Sequence, residues 1–151
     1  MTSTESNEGG ARCKTPIHLW IVGGVTLLWN LMGAFDYLAS QLKLEFYMSQ
    51  FDEAMLAYFY GFPSWAVAAW AFGVWGAVAG SIGLLLRQRW SLWAFVVSFV
   101  GMAVNSIYTL GLSNGVEIMG TTGVIFSVVI WIVAIFLVVY TCRQTKNGVL
   151  R

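Results

Sequence analysis

At 151 residues, with 58% of them hydrophobic, 10% charged and a mean hydropathy of +0.72, the chain has too little polar sequence to clothe a soluble domain. Its net charge of +1 comes without a cluster of Lys and Arg, so no phosphate-binding face is expected and nucleic acid is excluded as a partner. The apolar residues fall in four runs long enough to cross roughly 30 Å of hydrocarbon at about 20 residues each.

Residues 1–15 are polar and read as a tail carrying Arg12 and Lys14. The first span covers about 17–40. It is too long for a cleaved signal and lacks a small-residue cleavage site, so it is expected to stay as an anchor. On its helix Trp29, Gly33, Asp36 and Ser40 share one strip, with Asn30 and Tyr37 on the neighbouring one. Asp36 is the carboxylate inside a span. Such groups are rare because a charge at the bilayer centre costs about 2.5–3.5 kcal/mol on insertion scales, which makes each a candidate functional residue. At 1.5 Å per residue it lies about 6 Å inside the helix end, within reach of water.

Residues 41–62 are too charged to span and too aromatic for a free loop. Ser49 followed by Asp52 and Glu53 predicts a helix start, with a side-chain cap and acids in the first turn. Met55, Leu56, Tyr58, Phe59, Tyr60 and Phe62 would lie in the headgroup layer, either as an aromatic anchor or as a lid over a polar site.

The second span covers about 63–86, with Pro63 in the first turn. Ala66, Ala69, Gly73, Gly76, Gly80 and Gly83 fall on one side, where small residues let backbones approach, within the monomer or across a homodimer seam. Val67, Val74, Trp75, Val78, Ile82 and Leu85 form the opposite side and suit lipid. Arg87-Gln88-Arg89 is so short a link that the second and third spans must form an antiparallel hairpin.

The third span, about 91–113, carries an inward stripe of Ser91, Ala94, Ser98, Gly101, Asn105 and Tyr108. The fourth, about 121–142, is interrupted only by Ser127 between Val124 and Tyr140 and reads as peripheral; 143–151 form a second tail. The expected fold is an all-α membrane four-helix bundle in one domain, with an interfacial helical segment between its first and second helices.

Orientation follows the basic residues. An even number of spans puts Arg12, Lys14, Arg87, Arg89, Arg143, Lys146 and Arg151 on one side, the cytoplasm, and leaves Lys43 opposite. Both ends are then cytoplasmic. Cys13 and Cys142 share that reducing side, so no disulfide is expected. Measured from the inner boundary, Asn30 and Asn105 lie at about 20 and 21 Å, and Asp36 and Tyr108 at about 28 and 26 Å. They form either a set of interhelical hydrogen bonds with Asp36 at the interface, or a solute or proton site.

Chemistry of other kinds finds no anchor. The single histidine, His18, has no Cys/His grouping with zinc spacing around it. No P-loop, no nucleophile elbow and no nucleophile–base pairing is present. No enzyme, metal or cofactor is expected.

The stretch Leu28-Trp-Asn-Leu-Met-Gly-Ala-Phe-Asp-Tyr37, with Tyr47-Met-Ser-Gln-Phe51 and Tyr58-Phe-Tyr-Gly-Phe-Pro-Ser-Trp65, resembles a group of small bacterial inner-membrane proteins commonly labelled sugar transporters or left uncharacterised. The likeness continues through the second span to Tyr108 and Leu112-Ser-Asn-Gly115, about two thirds of the chain. The chain lacks the Pro-Gln pair of the three-helix sugar carriers, and Asp36 is shallower than the essential carboxylate of the four-helix multidrug exporters. The resemblance implies transport of a small polar solute, a sugar among the candidates; from the residues themselves, a homo-oligomer of four-helix units would supply enough helices for it. Asp36, Asn30, Asn105 and Tyr108 would contact the solute, with Trp29 or Trp65 stacking on it. The alternative is an accessory or assembly subunit of a larger membrane complex.

Overall fold

A computed structural model describes residues 13–151; Arg12 and the polar stretch before it lie outside the described residues. Of the described residues 82% are helical and none is in a strand. The helices are α1 (Ile17–Gln41), α2 (Glu45–Met48), α3 (Glu53–Tyr60), α4 (Ser64–Leu85), α5 (Trp90–Ile107) and α6 (Gly115–Lys146), with a π-helical turn, Tyr108–Leu112, extending α5. Four of these segments are long and apolar enough to cross a membrane: α1, α4, α5 with its π turn, and α6. The protein is a multi-pass membrane four-helix bundle.

Three spans end in the same way. In α1 the N–H of Leu44 bonds Ala39 O and that of Lys43 bonds Ser40 O; in α4, Gln88 bonds Gly83 O and Arg87 bonds Leu84 O; in α6, Val149 bonds Gln144 O and Gly148 bonds Thr145 O. These are Schellman pairs, and each needs a left-handed residue just past the helix. Lys43 (φ 51°), Arg87 (φ 59°) and Gly148 (φ 70°) supply it. Only the last is glycine, so the first two turns are specified by the bonds they close rather than by residue preference. Pro63 is the cap residue preceding α4 rather than part of its first turn.

The hairpin of α4 and α5 is the spine. A Cβ at Gly76 would stand 3.0 Å from Ala94 O and from Ser98 N, so the backbones are in contact there. Ser91 Oγ donates to Gly80 O at 2.6 Å and Ser98 Oγ to Gly73 O at 2.5 Å. Serines on one helix thus bond the carbonyls of glycines on the other, which gives attraction in a solvent as apolar as the side chains. Gly80 and Gly83 accommodate Phe95 and Trp90. The small-residue stripe is used within the monomer.

α1 packs on another side of α4, where Gly23 receives Leu85. Val78, placed by the sequence on a lipid face, is 7% exposed. The expectation fails because α4 is flanked by α1 as well as α5, and its second side is covered too. α6 flanks α5 through Phe99 and Trp131, at 5.3 Å between ring centroids, and meets α1 through side chains such as Trp29 and Phe126 at 5.9 Å. It is the peripheral span: 6% of its most apolar window is buried, against 33% for α4. Gly120 (φ 62°, ψ −168°) breaks α6, so its uninterrupted helix starts at Thr121.

The expected tail 143–151 is corrected. α6 continues to Lys146, and the chain then folds back under the bundle. Arg151 N–H donates to Arg87 O at 2.7 Å and accepts at its carbonyl from Arg89 N–H at 2.9 Å. Leu150, fully buried, and Val149 join Leu19, Leu84, Phe95 and Leu137 in the core. The Gly148 turn redirects the chain, and two apolar residues after it are removed from water.

The helical segment expected between the first and second spans is present, and only its cap is corrected. It forms two short helices, and Asp52 caps α3 by accepting from Met55 N–H at 2.8 Å. Ser49 Oγ donates to Phe46 O instead, because the chain turns between Met48 and Phe51 before α3 begins.

Candidate functional site

Asp36 sits near the C-terminal end of α1, and the Lys43 turn folds α2 back alongside it. Tyr47 then donates its hydroxyl to Asp36 Oδ1 at 2.5 Å. Its ring is fixed edge-on between Phe35 (5.6 Å) and Phe51 (5.5 Å). Burial pushes the Tyr47 phenol above its ordinary value, and the hydrogen bond to Asp36 and the carboxylate charge push it the same way. Lys43 does not pair with Asp36; its Nζ lies 4.4 Å from the centroid of the Tyr60 ring.

From Tyr47 a continuous set of ring contacts roofs this end of the bundle. Phe51 meets Phe59 at 5.8 Å, Phe59 meets Trp70 at 6.2 Å, and Trp70 meets Tyr37 of α1 at 5.1 Å. Phe62 continues the path to Tyr108 at 5.0 Å, and Tyr108 to Trp65 at 5.5 Å. The apolar side of α3 therefore faces the spans, and Tyr58 is buried beneath it. Its hydroxyl bonds Ser113 Oγ at 3.0 Å, while Ser113 Oγ reaches Tyr108 O, a carbonyl at the π turn, at 2.9 Å. Gly115 permits this approach, since a Cβ there would stand 2.5 Å from both Tyr58 Oη and Thr109 O.

The residues singled out from the sequence separate into groups. Asp36, Tyr108 and Trp65 belong to the roofed end, and Tyr108 and Trp65 touch. Asn30 is committed elsewhere: its Nδ2 donates to Ser81 Oγ at 2.8 Å and Ala77 O at 3.2 Å, tying α1 to α4. Trp29 packs on α6. Asn105 Oδ1 is buried and has no hydrogen-bond partner among the described residues. Two apolar grooves of ≈ 400 and ≈ 150 Å³ run along α6 and between α5 and α6, and neither Asp36 nor Asn105 lines them. Among the described residues no group of three His, Cys, Asp or Glu side chains could hold a metal ion.

Tyr47 is the site residue that sequence reasoning did not select. It lies eleven positions from Asp36 across a turn, so no helical spacing links them. The available signal was its place in the second of the three stretches carrying the family resemblance.

No family model matches the chain, and neither a curated protein nor a solved structure is significantly similar to it.

Proposed function

We propose that the chain is a small-solute transporter of the bacterial inner membrane, a carrier rather than an enzyme, with sugars among its candidate solutes. Its basic end, with both termini, faces the cytoplasm, and the Asp36–Tyr47 end faces outward. One observation carries this reading. The three stretches that carry the resemblance meet at one end of the bundle, through Asp36–Tyr47 and Phe51–Phe59, and are tied to the second and third spans there through Tyr37–Trp70 and Phe62–Tyr108. An ionisable group in a span is a functional candidate by default, and here its side-chain partner belongs to the segment covering the span.

The arrangement corresponds to a closed outer gate. A solute hydroxyl competes with Tyr47 for the Asp36 acceptor, and displacing that bond frees α2 and α3 to lift. Aromatic faces beneath them suit the apolar face of a sugar ring. Asn105 Oδ1 is a spare acceptor further in. Oligomerisation would add the helices that alternating access between two halves calls for.

Proteoliposomes should accumulate labelled sugar or move protons, and Asp36→Asn or Asn105→Leu should abolish the flux while leaving the protein folded. If vesicles move neither and Asp36→Asn changes nothing in cells, the reading is abandoned.

A second reading, an accessory or assembly subunit, is favoured by the exposure of α6 along nearly its whole length. Recovery of the protein alone from a mild-detergent pull-down counts against it.

A further inference from the structure

The larger apolar groove is lined by Ile132, Ile135, Phe136, Val139, Tyr140 and Arg143, consecutive turns of one face of α6. The smaller groove adjoins it, sharing Ile135 and Val139 and adding Val96 and Phe99 of α5. From Arg143 to Ile132 the face is about 16 Å long at 1.5 Å per residue. One leaflet of hydrocarbon is about 15 Å deep, half of roughly 30 Å. The groove thus has the length of one leaflet, from headgroup level to the bilayer midplane.

Its polar end is cationic. Lys14, Arg87, Arg89, Arg143, Lys146 and Arg151 gather at this end of the bundle, whereas Asp36, Glu45, Asp52, Glu53 and Glu117, the carboxylate side chains among the described residues, are at or near the other. Arg87 and Arg89 are partly engaged, each donating through Nε to the carbonyls of Val149 and Leu150. Arg143 makes no side-chain hydrogen bond to the described residues and is exposed at the groove mouth, beside Tyr140, whose hydroxyl pairs with His18 Nδ1 at 2.6 Å. The C-terminal dipole of α6 disfavours an anion here, so any anion that binds must be held by the side-chain charges.

We propose that this groove binds one anionic phospholipid, with its phosphate on Arg143 and an acyl chain laid along Ile132, Ile135, Phe136 and Val139. A planar guanidinium with several donors suits phosphate oxygens. Charge selects lipid over a second copy of the chain. Two copies in one bilayer share an orientation, and an isologous contact through this face would set Arg143 against Arg143. The inference stands independently of transport.

The test uses the full chain, delipidated in neutral detergent and titrated with phosphatidylglycerol or phosphatidylcholine of identical acyl chains. Retained lipid is counted by native mass spectrometry and thermal stability is followed in parallel. One phosphatidylglycerol per chain should bind roughly tenfold more tightly than phosphatidylcholine. Arg143→Gln should erase that preference, Arg143→Lys should keep part of it, and Lys146→Gln should keep nearly all. Equal binding of the two lipids overturns the proposal, as does equal loss in Arg143→Gln and Lys146→Gln, which marks diffuse surface charge. Inorganic phosphate reproducing the stabilisation, or a Val139→Cys dimer that cross-links and excludes lipid, overturns it too.

Discussion

The Tyr47 hydroxyl donates to Asp36 Oδ1 at 2.5 Å, so the carboxylate within the first span is bonded to the segment that covers it. Burial and that contact raise the Tyr47 phenol above its ordinary value near 10. The folded state then keeps its proton where the unfolded state loses it. The stabilisation is complete below pH 10 and is lost as pH rises from about 10 through the folded value. Melting temperature measured from pH 8 to about 11 should fall more steeply at the alkaline end in the wild type than in Tyr47→Phe. At neutral pH Tyr47→Phe should itself lose about 1–3 kcal/mol by leaving a polar partner unbonded. Parallel alkaline profiles for the two proteins would contradict this account.

Glycines in two environments should respond oppositely. Gly76→Ala forces a methyl to 3.0 Å from the backbone of α5, which cannot rotate away, and should destabilise the hairpin by about 1–3 kcal/mol. Gly24→Ala meets nothing within 4 Å on α1 and should stabilise slightly, by up to about 1 kcal/mol from helix propensity. Denaturation in mixed micelles compares them directly.

Asn30 and Ser81 join α1 to α4 at 2.8 Å. A double-mutant cycle with Asn30→Ala and Ser81→Ala should yield a coupling of about 0.6 kcal/mol, with about 1.7 as the ceiling for such bonds in membranes. Strict additivity would remove Asn30 from its assigned role.

Leu150 and Arg151 contribute differently to the clasp under the bundle. Leu150→Ala opens a cavity at a fully buried position and should cost about 2–5 kcal/mol. Arg151→Ala should cost under about 0.5 kcal/mol, because its bonds to Arg87 and Arg89 are made by its backbone and the side chain is exposed. Thermal unfolding of the two variants distinguishes a clasp held by packing from one held by charge.

Much of the bundle was legible along the chain. Apolar runs longer than a leaflet pair are visible without partners, and the spacing of Gly73, Gly76, Gly80 and Gly83 shows on the helix where a neighbour must come close. The Ser91 and Ser98 stripe announced the matching face of α5. What failed was anything set by more than one neighbour. Val78 read as lipid-facing because one covered side of α4 was visible in the pattern and the second, under α1, was not. Ser49 read as a cap because the chain reversal before Asp52 depends on α2 docking.

The Asp36 site divides in the same way. Sequence by itself determined that a carboxylate lies within a span, near its end, and that an aromatic segment follows; those facts rest on hydropathy and on a fixed rise per residue. Tertiary structure alone decided that Tyr47 is its partner, that Asn30 is spent on α4 and that the chain after Gly148 returns to the core. Each of these is a contact between residues with no periodic relation, the first brought about by the left-handed turn at Lys43 and the last by that at Gly148.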